Sequence, residues 1–384
     1  MKILHIVPDL IGNKVFADMI SALSEKVDNQ VVFIPISKQN LYGRNALSLS
    51  KVQMIYSKCF GIIDRVLFLP KLKKINSVLN NTSFIAKVDL IHAHTLVSSG
   101  SIAYMQFHKR GIPYVVTVNS TDVNLFLKKL VFLKQYIKNI LLNASGILFL
   151  NNNLRKYVLS LYSPEVANKL SLKSSTIPFG LDDIWRTTPR KNIVNEREFK
   201  VLFVGTLNDN KNILGVIKEI KRLNHISNEI LLGIAGDGKY LKKIRKICSR
   251  FSWISYHGYI HTAEKIIKLY DDYDCLVLPS LKESFGMVYI EALSRGLPIV
   301  YSRGQGIDGY FPREIAGVAV NQYKSGSIGK AVLKLRKYYH RYSMEAIKTC
   351  EEFTWEQCVL KHINVYEKAI ESTNIKNHAK VRGY

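Results

Sequence analysis

The chain reads as an α/β protein made of two doubly wound, parallel-sheet domains. Three observations predict this class. At 384 residues it exceeds one ordinary core and fits two domains of about 180 residues each. Short apolar strands alternate with amphipathic helices in two successive series. The strands are near-continuous apolar runs, the mark of parallel strands buried on both faces.

In the first series, residues 3–7, 31–36, 90–93, 114–118 and 147–150 are expected as strands, and 15–24 and 102–109 as helices. Residues 176–177 are expected to close that sheet. The polar, aperiodic stretch 187–192 reads as a linker, which sets a first domain over 1–187 and a second over 188–356. The second series places strands at 200–204, 230–235, 254–256, 275–278 and 299–301. Helices are expected at 213–224, 239–248, 263–270, 287–295 and 327–339. Helical spacing returns from Trp355 to about Glu371, and the polar tail after Thr373 reads as frayed.

The formal net charge is +25, and 47% of residues are hydrophobic. Between residues 29 and 181 lysine and arginine far outnumber the acids. In the stretches 51–79 and 125–142 this charge is mixed with large apolar side chains. On a helical wheel Lys128, Lys134, Gln135 and Lys138 share one face of 125–142, a pattern suited to an anionic membrane surface. No zinc-finger, RNA-recognition or helix-turn-helix signature accompanies the basic balance, so nucleic acid is not expected as a partner. No uncharged apolar run reaches 18 residues, and MKILHIVPDL reads as a first strand rather than a signal peptide. Cys59, Cys248, Cys275, Cys350 and Cys358 show no paired spacing and read as free thiols in a reducing cytoplasm.

The most informative segment is ESFGMVYIE, residues 283–291. A buried strand at 275–278 leads into a loop carrying Glu283, and an apolar helix carrying Glu291 follows. A helix N-terminus at the carboxyl edge of a parallel sheet favours phosphate. Two ionised carboxylates accept hydrogen bonds from hydroxyls. Together they suggest a nucleotide sugar. Read alone, Glu283 can equally be a helix cap and Glu291 a solvated helix residue.

This segment resembles the E-x7-E motif of glycosyltransferase family 4. The likeness continues through MKILHIVPDL, VDLIHAHTLVSSG, PYVVTVNSTDVNLF, VLFVGTLNDNKN, IAGDG and YSRGQGIDGYF. The wording is most similar to enzymes that build bacterial surface polysaccharides. The resemblance implies the GT-B fold, two Rossmann-like domains facing across a cleft, with a last helix over about 357–384 returning to the first domain. It implies transfer of a hexose-type sugar from a nucleotide diphosphate sugar, with retention and with no metal or other cofactor. UDP is favoured over GDP on family frequency. The acceptor would be a glycan on a polyprenyl diphosphate carrier, at the inner face of the cell membrane.

Carried over by residue, the resemblance assigns Glu283 to the hydroxyls of the transferred sugar and Glu291 to the ribose diol. The amides around Ser284, Phe285, Gly286, Met287 and Val288 would meet sugar and diphosphate oxygens. Gly205 lets the backbone approach phosphate, and Lys211 is the candidate cation on the diphosphate. Thr206 stands where the family usually has arginine, and Arg303 is the candidate to supply the missing cation. Gly236, Gly258 and Tyr259 would border the base.

On the acceptor side the candidates are Gly12, Asn13, Lys14 and His94, with Asn119 and Asp122 beside the chemistry. Asn119 replaces a histidine common in relatives and excludes a general base there. Asp122 can orient acceptor or cap the next helix. His92 and His94 have no evident third partner, which favours packing or acceptor contact over metal. Asp272-Tyr273-Asp274 imitates a metal-binding D-x-D, but it precedes a strand and so lies at the wrong sheet edge. Two alternatives stay open: a nucleotide-sugar epimerase of the same fold, and a catalytically weak homologue serving as a membrane-associated scaffold.

Overall fold

The computed structural model describes residues 1–61, 64, 68–187, 198–227 and 230–382, with the backbone alone described at 187, 227 and 374–382. Contacts divide the chain into two compact units. One holds residues 1–150, 154–180 and the segment from 355 onward; the other holds 151–153 and 181–354. The linker read at 187–192 lies, beyond Thr187, outside the described residues.

The first unit runs β1 (Lys2–Ile6), α1 (Val15–Leu23), β2 (Asn29–Ile36), β3 (Val52–Lys58), α2 (Phe68–Asn80), β4 (Leu90–Ala93) and α3 (Ser98–Arg110). It continues with β5 (Tyr114–Val118), α4 (Lys134–Asn143), β6 (Gly146–Phe149), α5 (Asn152–Leu159), α6 (Pro164–Ser171) and β7 (Ser174–Thr176). All seven strands are parallel, in the order β3-β2-β1-β4-β5-β6-β7. β4, β5 and β6 are buried at every residue, as helices on both faces require. β3 was not legible as a strand: it is an edge strand in which only Val52 is fully buried, so no apolar run marks it.

The second unit begins with α7 (Ile184–Thr187), β8 (Phe199–Val204), α8 (Ile213–Ser227), β9 (Ile230–Ala235), α9 (Leu241–Cys248) and β10 (Ile254–Gly258). There follow α10 (Ala263–Asp271), β11 (Cys275–Leu278), α11 (Met287–Ser294), β12 (Ile299–Ser302), β13 (Gly317–Val320), α12 (Ser327–Lys337) and α13 (Tyr339–Cys350). Its six strands are also parallel, in the order β10-β9-β8-β11-β12-β13. Each sheet reverses its winding once, between β1 and β4 in the first unit and between β8 and β11 in the second. Such reversals open a crevice at the carboxyl edge, where ligands of doubly wound folds bind. Both units are therefore Rossmann-like.

The last helix, α14 (Trp355–Arg382), packs on α1, β4, β5 and β6 of the first unit. It runs past the expected fraying point, because residues 374–382 contain neither glycine nor proline to stop it. A second difference concerns 125–142, which is not one amphipathic helix. It comprises a wide π-type turn (Asp122–Leu127), a short 3-10 turn (Val131–Leu133) and α4. The Asp122 carboxylate anchors the first turn to the amides of Leu96 and Val97, a long-range tie that periodicity does not register. No helix among the described residues is long and apolar enough to cross a membrane.

Candidate active site

In the second unit, the loops that follow β8, β9 and β10 are stitched together at the carboxyl edge. Gly205 N–H donates to the Ala235 carbonyl (3.0 Å), Leu207 N–H to Asp237 O (2.9 Å), and Gly236 N–H to Gly258 O (2.8 Å). Gly236 has φ 137°, and a Cβ there would stand 2.0 Å from the Gly205 carbonyl oxygen, so only glycine fits. Gly205, Gly236 and Gly258 thus form one backbone floor. Thr206 and Tyr259 are exposed at its rim.

Lys211 and Glu283 meet where this sheet reverses. Lys211 comes from the loop after β8 and Glu283 from the loop after β11, the two strands that flank the reversal. Their ammonium and carboxylate form an ion pair, and both side chains are largely buried. The Asn208 side chain accepts from the Lys211 amide (3.0 Å), and Ser280 Oγ donates to Glu283 Oε2 (3.2 Å). Gln305 Oε1 accepts from the Glu283 amide (3.1 Å), while the Gly306 amide donates to the Glu283 carbonyl (3.1 Å). Sequence reasoning missed Asn208, Ser280 and Gln305; their polar character in loops at the carboxyl edge was the available signal.

Helix α11 opens at Met287 behind Gly286, whose φ of 88° makes the left-handed turn into the helix. Its positive end therefore lies next to the Lys211–Glu283 pair, at the edge where anions are favoured. The side chain of Phe285 is buried against Tyr310 and Phe353, so this loop is held from beneath. Ser284, Met287 and Val288 are half-buried around the same turn.

Glu291 lies just over one helical turn into α11. Tyr270 Oη donates to Glu291 Oε2 at 3.0 Å. Burial pushes the Glu291 carboxyl up to about 7; the Tyr270 bond opposes this shift, and the nearby Asp182 charge adds to it. At neutral pH the group is therefore poised between acceptor and donor. Tyr270 is a further site residue that spacing alone did not reveal.

Arg303 is exposed just after β12, at the same carboxyl edge as Lys211. Asp274 accepts from the Lys200 amide (2.7 Å) where β8 and β11 begin. The Asp272-Tyr273-Asp274 triplet therefore sits at the opposite end of the sheet and serves strand registration.

The acceptor-side candidates lie in the first unit. Gly12, Asn13 and Lys14 are exposed after β1; Asn13 Oδ1 accepts from Val15 N–H (3.2 Å), and Lys14 pairs with Asp18 (3.2 Å). Asn119 and Asp122 bond each other twice, amide to side chain in both directions (3.1 and 2.9 Å). Asp122 is buried and accepts from Leu96 and Val97 N–H (2.9 and 3.2 Å). It thus ties its own turn to the segment that leads into α3. Burial raises its carboxyl to about 6 against those three backbone bonds.

His94 is buried, and the expectation that His92 and His94 lack a third partner is overturned. His5 on β1 lies in register with His92 on β4, because these strands are neighbours although their paired residues are far apart in the chain. Ligand atoms of His5, His92 and His94 lie within 4.8 Å of one another. Gln30 donates to Ile20 O (3.0 Å), so its Oε1 accepts from His5 Nε2–H (3.0 Å); His5 Nδ1 then accepts from His94 Nε2–H (3.0 Å). His92 is held between Thr117 Oγ1 (2.8 Å) and Tyr366 Oη (2.7 Å). A divalent cation held by the three rings would have to break these bonds. The arrangement is a buried neutral network.

Residues 186–349 match the family described as glycosyl transferases group 1. An uncharacterized glycosyltransferase of Methanocaldococcus jannaschii is 25% identical over 303 residues, 74% of this chain and 76% of that protein. The O-antigen chain mannosyltransferase B of Escherichia coli is 27% identical over 176 residues, 43% of this chain and 45% of that one. The crystal structure of Anabaena HepE in complex with UDP and glucose superposes with a TM-score of 0.69 at 15% identity, covering 96% of this chain and 99% of that one.

Proposed function

We propose that the chain is a glycosyltransferase, with a group 1 domain over residues 186–349 and the GT-B type of fold, and that it transfers a hexose-type sugar from UDP-sugar to a glycan acceptor with retention and without metal. The observation that carries this reading is the Lys211–Glu283 pair at the sheet reversal, beside the positive end of α11. In the proposed complex the diphosphate takes Lys211 away from Glu283, which then accepts from hydroxyls of the transferred sugar. Glu291 accepts from the ribose diol. Gly205, Gly236 and Gly258 admit phosphate and base against bare backbone, with Tyr259 at the rim. Charge on the departing diphosphate is stabilised by Lys211 and the first turn of α11, fixed dipoles that need no reorganisation. The leaving phosphate oxygen takes the acceptor's proton, so Asn119 need not act as a base.

The acceptor is proposed to be a bacterial polysaccharide precursor on a polyprenyl diphosphate, held by the first domain near Gly12, Asn13, Lys14 and Asn119. That domain also carries a surface suited to the cytoplasmic face of an anionic membrane. Leu125, Val131 and Phe132 are 42%, 56% and 79% exposed, with Lys128, Lys129 and Lys134 exposed between and beside them. Buried aromatic area and several lysines each contribute favourably at such an interface.

Turnover separates this reading from its rivals. The protein is incubated with UDP-sugars with and without a lipid-linked glycan, and free UDP is measured. UDP release that requires acceptor is expected. Isomerisation of donor without acceptor would mean an epimerase; UDP-sugar binding with no release in either case would mean a scaffold.

A further inference from the structure

A cavity of about 540 Å³ lies along the outer edge of the first unit's sheet, between β7 and α14. It is within the size range of small-ligand sites. Lys173, Lys361 and Lys368 line it together with Thr176, Asn364 and Leu172, and no acidic side chain is among its lining residues. Lys361, Asn364, Val365, Lys368 and Ser372 recur along α14 at intervals of one to four, a single stripe facing the cavity. The acids Glu367 and Glu371 of the same helix do not line it.

Lys173 is already fixed: its Nζ donates to the carbonyls of Leu142 and Ala144 (2.6 Å each), at the negative end of α4. Lys361 and Lys368 are exposed on the opposite wall. One wall thus offers two exposed cations, and the other offers hydroxyls and a held cation. Leu172, 82% exposed, adds apolar surface on which a sugar ring can rest. Cations without acids select an anion, and hydroxyls with a carboxamide select a polyol.

We infer that this cavity binds an acidic oligosaccharide, one whose sugars bear carboxylate or phosphate groups. The sheet order places β7 four strands from β1 and two from β5. At about 4.8 Å per strand, it lies roughly 19 Å from the loop that follows β1. The site would therefore grip a glycan chain away from its reacting end. The choice of a saccharide rests on the glycosyltransferase reading, but the site's geometry does not involve the donor residues.

Calorimetry on the full chain without donor tests the inference. Trigalacturonic acid supplies carboxylates, maltotriose is the neutral control, and glucose 6-phosphate and inorganic phosphate supply phosphate with and without a sugar. Trigalacturonic acid or glucose 6-phosphate is expected to bind at least tenfold tighter than maltotriose, and the tighter of the two identifies the charged group. The Lys361→Ser, Lys368→Ser double variant should weaken that binding at least tenfold while its affinity for UDP stays at the wild-type value. The inference fails if neither acidic ligand exceeds maltotriose, if the double variant binds like wild type, or if inorganic phosphate binds as tightly as either acidic saccharide. Because no donor or turnover enters, these outcomes are independent of whether sugar transfer is observed.

Discussion

Lys211 and Glu283 are 72 positions apart in the chain and form an ion pair at the reversal of the second sheet. Side-chain exposures of 21% and 13% mean that neither charge is well hydrated. Under the proposed function, the arriving diphosphate takes up the Lys211 cation and the sugar hydroxyls donate to the Glu283 carboxylate.

Removing the cation should reduce the chemical step more than it weakens binding. For Lys211→Ala a fall in kcat of about 100-fold or more is expected, the scale on which charge-stabilising donors act. Steady-state kinetics with UDP-sugar checks this. A change confined to KM would assign Lys211 to ground-state binding only.

The backbone floor depends on glycine at one position. Gly236→Ala forces a Cβ toward the Gly205 carbonyl at a φ that side chains rarely adopt. A loss of about 2–3 kcal/mol in unfolding free energy is expected, the scale of strained backbone sites. Denaturant unfolding measures it, and an unchanged midpoint would contradict the packing described.

The buried histidines make the first unit sensitive to acid. Burial lowers His5 from 6.5 to about 3 and His362 from 6.5 to about 4. Between those values and 6.5 the unfolded chain binds more protons than the folded one, so stability is full above about 6.5 and falls as pH decreases. His362 alone accounts for about 3 kcal/mol on this basis. His362→Leu should flatten the dependence of unfolding free energy on pH between 6.5 and 4; an equally steep variant would refute the neutral-core account.

Membrane docking should depend on one exposed turn. Phe132→Ser is expected to lower partitioning onto vesicles containing anionic lipid by about tenfold or more, the scale of losing one buried aromatic. Flotation at low salt measures this. Binding by wild type to neutral vesicles alone, or identical partitioning of the variant, would remove the surface from the proposal.

The double winding of both units was legible because apolar strands and amphipathic helices alternate with little interruption. Residues 283–291 were legible because strand, loop and helix are contiguous there. What stayed hidden depends on contacts between distant segments. His5 joins His92 only because β1 and β4 are neighbours. Tyr270 reaches Glu291 across two helices, and Gln305 holds Glu283 from the loop after β12. The break in 125–142 follows from Asp122 bonding to Leu96 and Val97. Periodicity describes a segment's own faces and carries no information about such ties. β3, with a mostly half-exposed face, lacked even the local signal.

Glu291 is proposed to accept from the nucleotide's ribose, and calorimetry of UDP binding against pH tests that role. With the unliganded carboxyl at about 7, ionisation of the acceptor is nearly complete at pH 8 and about one-tenth at pH 6, so wild type should bind about tenfold tighter at the higher pH than a group already charged would allow. Glu291→Gln shares every other titration, including the nucleotide's own, and should lose this increment while binding at least tenfold more weakly at pH 8. A folded Glu291→Gln variant that matches wild-type affinity at pH 8 would contradict the claim.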